Sequence, residues 1–227
     1  YTRTESMTST TKRHPAEMQA TIGADADGNI VAMTFEAIFN TGPYASFGPT
    51  VANRVPVHAS GPYRTPNYRA AGRAIHTNGP NGGAFRGFGV PQATIAQETL
   101  YDALADKLGM DRLEFRLRNA LRDGDSTVTG QKLESGVGIE ACLTALRPHW
   151  SRALADASAF NEQHRERRRG VGVASCWYGC GNTSIANPST IKAGISRDGG
   201  VMLHQGAVDI GQGSNTVIAQ IFADALG

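Results

Sequence analysis

Two glycine-punctuated segments carry the residue types best suited to gripping a charged, polar or flat ligand. In the first, Gly211-Gln212-Gly213-Ser214-Asn215 precedes Val217, Ile218, Ile221, Phe222, Ala225 and Leu226, which recur at helical spacing. Small residues at a helix start leave backbone N–H donors at the positive end of the dipole, an arrangement that binds anions, with Ser214 or Asn215 as the N-cap. The Gln212 amide both donates and accepts, so it suits a polar ligand atom brought close by bare backbone. A tight turn with no ligand accounts for the same residues, and the string is neither a phosphate-binding P-loop nor a full dinucleotide fingerprint. In the second segment, Gly82 to Gly89, the run Ala84-Phe85-Arg86-Gly87-Phe88 leads into a proline-started helix. In a non-helical turn Phe85 and Phe88 can present one aromatic wall beside the Arg86 guanidinium, a place for a flat ring. Two core rings with a surface arginine reaching past them is the equal alternative.

Other residues rank lower. Arg54, four residues before His58, suits a substrate anion clamp or an ordinary surface ion pair. The six histidines show no His-x-x-x-His spacing, so a metal held by side chains is not expected. Cys142, Cys176 and Cys180 are an odd set with no zinc spacing and are expected to be reduced thiols; Cys176 to Cys180, with Trp177 and Tyr178 between them, suit a pocket wall or, more commonly, buried structural cysteine. Glu140 follows glycines, but its place in the first turn of a helix explains it.

The elements that must position these residues read as follows. Residues 17 to 39 form a hairpin about Asp27-Gly28-Asn29. Prolines and glycines make Thr41 to Pro66 a long irregular connection, and Tyr68 to His76 is a strand. Pro91 opens a helix marked by Ala96, Leu100, Leu104 and Leu108 and stopped by Gly109. Asp111 and Glu114 start a second helix that ends near Gly124. Residues 138 to 160 are helical with a break at Pro148, and the polar stretch 161–169 is a linker. Gly172 to Tyr178 reads as a strand, and Ile191 to Ile195 and Val201 to Ala207 as a second hairpin. This is an α+β layout. With 22 basic and 20 acidic residues the net charge of +2 makes no case for nucleic acid. No apolar run is long enough to cross a membrane and no signal-peptide pattern opens the chain, so the expected location is cytoplasmic. The chain opens on Tyr1-Thr2-Arg3 without methionine and closes at Gly227 within a periodic segment, and it reads as a piece of a longer polypeptide.

Taken together, six segments in order resemble the molybdenum-cofactor subunit of the xanthine dehydrogenase and aldehyde oxidoreductase family, the molybdenum hydroxylases. They are Tyr1-Thr2-Arg3-Thr4-Glu5 with Lys12-Arg13-His14-Pro15, Asn40-Thr41-Gly42-Pro43-Tyr44, Pro62-Tyr63-Arg64-Thr65-Pro66-Asn67, Gly83 to Gly89 with Pro91-Gln92-Ala93, Arg116-Leu117-Arg118-Asn119, and Gly211-Gln212-Gly213. The resemblance implies an α+β molybdopterin-binding fold whose residues 1–160 end one cofactor-binding domain and whose residues 170–227 begin the next. It implies a molybdopterin, in its cytosine dinucleotide form, that holds molybdenum through its dithiolene with no protein ligand to the metal. Ala84, Phe85, Arg86 and Gly87, and Gly211, Gln212, Gly213 and Ser214, would line that cofactor. Arg86 would stand in the catalytic centre, and Arg54, Phe85 and Phe88 beside substrate.

The implied reaction is hydroxylation of an aldehyde or an N-heterocyclic aromatic carbon, with water as the oxygen source and a glutamate as base. Electrons would leave through iron–sulfur clusters, and FAD where present, on partner subunits or domains of a hetero-oligomer, because no cysteine cluster for iron–sulfur ligation occurs here. The family's glycine–phenylalanine loop and its Gly-x-Gly-Glu catalytic segment are missing from this chain. The catalytic glutamate is therefore expected outside it, Glu140 is in the wrong order to serve, and the chain alone is expected to be inactive. The rival expectation is a non-catalytic nucleotide- or phosphate-binding module built on the helix start at Ser214.

Overall fold

The computed structural model describes residues 1–179 and 188–227, which fold as two compact units, Tyr1–Tyr178 and Gly179–Gly227. The first unit is α+β. It opens with helix α1 (Arg3–Ser9), capped by a reciprocal Thr2–Glu5 box. Strands β1 (Ala16–Ala24) and β2 (Ile30–Gly42) make the antiparallel hairpin expected from the sequence, and β2 also pairs in parallel with β3 (Asn67–His76). Alternation on β2 buries Met33, Phe35, Ala37 and Phe39 on one face.

A parallel pair needs a crossover, and here it is helix α2 (Gly48–His58), where the sequence had suggested only irregular chain. Its prolines disguise it: Pro49 stands in the first turn, where no hydrogen bond is lost, and only Pro56 lies inside. Val51, Ala52 and Val55 of α2 pack on the buried face of β2 together with Ala93.

Helix α3 (Val90–Leu108) starts and stops on left-handed glycines, Gly89 and Gly109. Its buried stripe is Val90, Ala93, Gln97, Tyr101 and Ala105, with Glu98, while the leucines that marked it are only half-buried. Helix α4 (Arg112–Asn119) is N-capped by Asp111 as expected, but ends five residues short of Gly124. Helix α5 (Ile139–Gln163) runs straight through Pro148 instead of breaking there. Contacts on either side hold it to α4: Arg147 pairs with Glu114 at 2.7 Å, and the Trp150 indole donates to Asp111 at 2.8 Å. Residues 172–178 alternate in burial like a strand, yet they join no ladder among the described residues.

The second unit holds an antiparallel hairpin, β4 (Lys192–Ile195) with β5 (Val201–His204), turned at Gly199, and helix α6 (Ser214–Leu226).

Candidate functional site

The charged core of the first unit explains one of the sequence segments. Arg116 on α4 has no solvent exposure, and its guanidinium lies 2.6 Å from Glu98 and 2.8 Å from Asp102, both on α3. The Tyr63 hydroxyl donates to the other Glu98 oxygen at 2.9 Å. Burial pushes the Glu98 carboxyl up and Arg116 pulls it back; burial lowers Arg116, but Glu98, Tyr63 and Asp102 outweigh that and hold it above its ordinary value. Ser175 lies near this pair and opposes the upward push of burial on both Tyr63 and Glu98. Asn119 ties α4 to the β1–β2 turn: its Oδ1 accepts from the Ile30 N–H, and its Nδ2 donates to Gly28 and Phe115 carbonyls, all at 2.8 Å. Arg116 and Asn119 are thus architectural.

Arg54 lies on α2, not in a loop. Its guanidinium stands 4.8 Å from the centre of the Tyr178 ring, and that ring in turn stacks on His58 at 5.5 Å. The Trp177 indole donates to the His58 carbonyl. Burial holds the His58 imidazole below its ordinary pKa, against the Arg54 carbonyl it bonds, which raises it, and with a smaller push down from the Arg54 charge. Cys142 and Cys176 are exposed free thiols, so Cys176 is not a core residue; Cys180 falls outside the described residues.

The second glycine segment is an exposed turn on the lip of α3. Gly87, Phe88 and Gly89 have φ of 85°, 45° and 94°, three consecutive left-handed residues. For Phe88 this is strained backbone, of a kind that persists only where the surroundings over-determine it and that clusters at ligand sites. Glycine is required at 89 for a second reason, since a Cβ there would meet Val55 Cγ2 at 2.3 Å. The two phenylalanines do not form one wall. Phe88 packs edge-on to Phe47 at 6.0 Å, whereas Phe85 has the Arg13 guanidinium over its face at 4.8 Å. Ala84, Phe85 and Arg86 are exposed, and the Arg86 side chain has no hydrogen-bond or ion-pair partner among the described residues. Arg13, which the residue-by-residue reading passed over, also donates to the Arg86 carbonyl and to Gln92.

Gly211, Gln212, Gly213 and Ser214 belong to the second unit, where they form the turn into α6. The N-cap is Gly213, with φ of 80°, in place of Ser214 or Asn215. The donors of this turn are engaged internally: the Asp209 carboxylate accepts from Gly211 N–H at 2.7 Å and more distantly from Gly213 and Asn215. These N–H groups hold the Asp209 carboxyl below its ordinary value. The Gln212 amide is turned into its own loop, accepting from Ile210 and donating to Val208. Asp209 is the one feature here that spacing gave no reason to single out.

Glu140 forms a two-pronged pair with Arg122, both contacts 2.8 Å, and so acts in structure. A cleft of about 700 Å³ beside α4 and α5 is lined by this pair and by Arg147–Glu114, and it includes none of Arg54, Ala84 to Phe88 and Gly211 to Ser214. Among the described residues no group of three His, Cys, Asp or Glu could hold a metal, and no helix is long and apolar enough to cross a membrane.

The first unit is thus an α+β domain whose strained, glycine-flanked turn presents an arginine side chain with no partner among the described residues. The chain belongs to the molybdopterin cofactor-binding domain family of the molybdenum hydroxylases, which matches residues 1–120 and, through a second domain type of the same description, residues 144–227. It is 46% identical over 145 residues to the nicotinate dehydrogenase large molybdopterin subunit of Eubacterium barkeri, a match covering 64% of this chain and 34% of that protein. It is 38% identical over 206 residues to the aldehyde oxidoreductase of Megalodesulfovibrio gigas, covering 91% of this chain and 22% of that one. The solved aldehyde oxidoreductase of Desulfovibrio desulfuricans superposes with a TM-score of 0.75 at 32% identity, over 85% of this chain and 21% of the other. The chain therefore spans about a third or less of the length of these relatives.

Proposed function

We propose that the chain supplies part of the cofactor cradle in a molybdenum hydroxylase that oxidises an aldehyde or an N-heterocyclic aromatic carbon. In this reading residues 1–160 complete one cofactor-binding domain, 161–169 link it, and 170–227 begin the next. The observation that carries the reading is the exposed Arg86, its side chain without a partner among the described residues, beside the strained Gly87–Gly89 turn, in a chain of this family.

The residues of the first unit suit a molybdopterin. Bare backbone at Gly87 permits close approach, and the free guanidinium of Arg86 would pair with an anionic or carbonyl edge of the group. Bound there, a molybdopterin, in the cytosine dinucleotide form, supplies the redox metal for hydroxylation with water as the oxygen source. Ala84 and Phe85 would border it, and Phe88 would border the substrate and exclude water. Arg54, its guanidinium against the Tyr178 ring, would orient a polar substrate group. The turn at Gly211, Gln212, Gly213 and Ser214 suits a cofactor group only if Asp209 and Gln212 exchange their present partners for it. That engagement also weakens the alternative of a simple phosphate-binding module at α6, because the donors it needs already face a carboxylate. The catalytic glutamate, the iron–sulfur clusters and any FAD belong in this reading to other parts of a hetero-oligomeric enzyme. The aldehyde and N-heterocycle substrates are suggested by the names of the relatives, which include an aldehyde oxidoreductase and a nicotinate dehydrogenase.

The test is Arg86→Ala in the holoenzyme that carries this chain, with molybdenum content and dye-coupled oxidation of an aldehyde and an N-heterocycle measured. Loss of one or both is expected. Unchanged metal content together with unchanged turnover would sink the proposal.

A further inference from the structure

We infer that Arg13 is a positioning residue for the Arg86 turn. The inference rests on the reading that this turn borders cofactor and substrate, and it concerns what holds the turn in its strained form.

The chain from Thr11 to His14 runs beside Asn81 to Gly83: Lys12 N–H donates to Asn81 at 2.9 Å, and Gly83 N–H donates to Lys12 at 3.1 Å. Glycine at 82 and 83 makes that approach possible, because a Cβ at 82 would meet the His14 ring at 2.8 Å and one at 83 would meet Thr11 and Ser46 at 2.8 Å. This places Arg13 against the turn, and its planar head makes three contacts there. One nitrogen donates to the Arg86 carbonyl, another donates to Gln92 Oε1 at 3.3 Å, and the face lies 4.8 Å from the Phe85 ring centre. Gln92, in the first turn of α3, donates back to the His14 carbonyl at 3.2 Å, closing the clamp.

The carbonyl that Arg13 holds begins the Arg86–Gly87 peptide, which leads directly into the left-handed run. A Phe88 with φ of 45° relaxes unless the peptides before and after it are fixed. After it, the Gly89 carbonyl receives the first helix bonds of α3, from Gln92 and Ala93. Before it, the Phe88 N–H donates to the Phe85 carbonyl at 2.7 Å, and Arg13 is the side chain that holds the intervening Arg86 carbonyl. A lysine cannot reproduce this, because a point ammonium lacks both the fork and the flat stacking face.

The experiment compares wild type, Arg13→Lys and Arg13→Met in the holoenzyme, reading molybdenum content, thermal midpoint, kcat and KM, with Arg86→Ala alongside. Both Arg13 variants are expected to stay folded and molybdenum-loaded while kcat/KM falls about tenfold to a hundredfold, the scale of a displacement of about 1 Å in a site. Turnover at the wild-type level in Arg13→Lys overturns the inference. So does a loss that merely tracks the loss of folded or metal-loaded protein in both variants. If Arg86→Ala leaves content and turnover intact, the underlying reading fails; if Arg86→Ala is impaired and the Arg13 variants are not, only the inference about Arg13 fails.

Discussion

Replacing Arg116 by methionine tests whether the core of the first unit depends on charge compensation. The side chain is fully buried and bonds to Glu98 through two nitrogens, to Asp102 at 2.8 Å and to the Arg112 carbonyl at 3.0 Å. Methionine nearly fills the volume, so cavity formation contributes little; what remains is a Glu98 carboxylate, 6% exposed, whose remaining hydrogen-bond donor among the described residues is Tyr63. Breaking a buried pair from one side costs about 3–5 kcal/mol, most of it the uncompensated charge. At about 2–4 °C per kcal/mol for a unit of this size, the thermal midpoint should fall by roughly 6–20 °C. If stranded charge is the cause, Arg116→Met with Glu98→Gln should recover at least about half of the loss, since the partner is then neutral. Calorimetry or circular dichroism on the purified chain reads both values. A drop below about 1 kcal/mol for the single variant, or strict additivity in the double, would refute the argument.

Asn119→Ala should cost about 1–3 kcal/mol, because the buried Ile30 N–H loses its acceptor, and hydrogen exchange at that amide should accelerate selectively. Stability should also fall on mild acidification. His14 and His58 are both buried and held below their ordinary value of 6.5 by desolvation, with the Arg13 charge lowering His14 further. The unfolded chain therefore binds more protons as pH drops below about 6.5, so the folded state loses ground from there down to the lowered values. Midpoints compared at about pH 7.5 and about pH 5.5 should show this, and His14→Gln with His58→Gln should flatten the slope; an unchanged slope contradicts it.

Where one periodicity had one cause, it was legible. The β1–β2 hairpin follows from alternation and a glycine turn, and α3 from a proline start and a glycine stop. Local signals misled where a tertiary requirement decided the outcome. Prolines 49 and 56 suggested disorder of the chain's period, but the parallel pairing of β2 with β3 demanded a crossover and α2 supplies it. Pro148 suggested a break, but pairs on both sides of it keep α5 continuous. The leucine period of α3 pointed to the wrong buried stripe. Helix orientation is set by Glu98 reaching Arg116 and by Tyr101 reaching the Ser60 carbonyl, and neither preference is visible without the partner.

The site divides in the same way. That the turn at Gly82–Gly89 carries an exposed arginine could be read from its residue types, because four glycines and a charge between two rings make a poor core. What fixes the turn could not, since Arg13 is 73 positions away from the Arg86 carbonyl it holds. Spacing also overstated the anion site at Gly211–Asn215. Counting backbone donors ignores acceptors nearby, and Asp209, two residues upstream, already takes the strongest of them. The two glycine segments therefore differ in kind. The first unit offers a positive group with no partner among the described residues, whereas the second offers a turn whose donors already face the Asp209 carboxylate. An anionic cofactor gains more at Arg86, where no internal bond need break, than at Gly211, where each new contact displaces an existing one. On that balance substitutions at Arg86 and Arg13 should weigh more heavily on function than substitutions at Gln212.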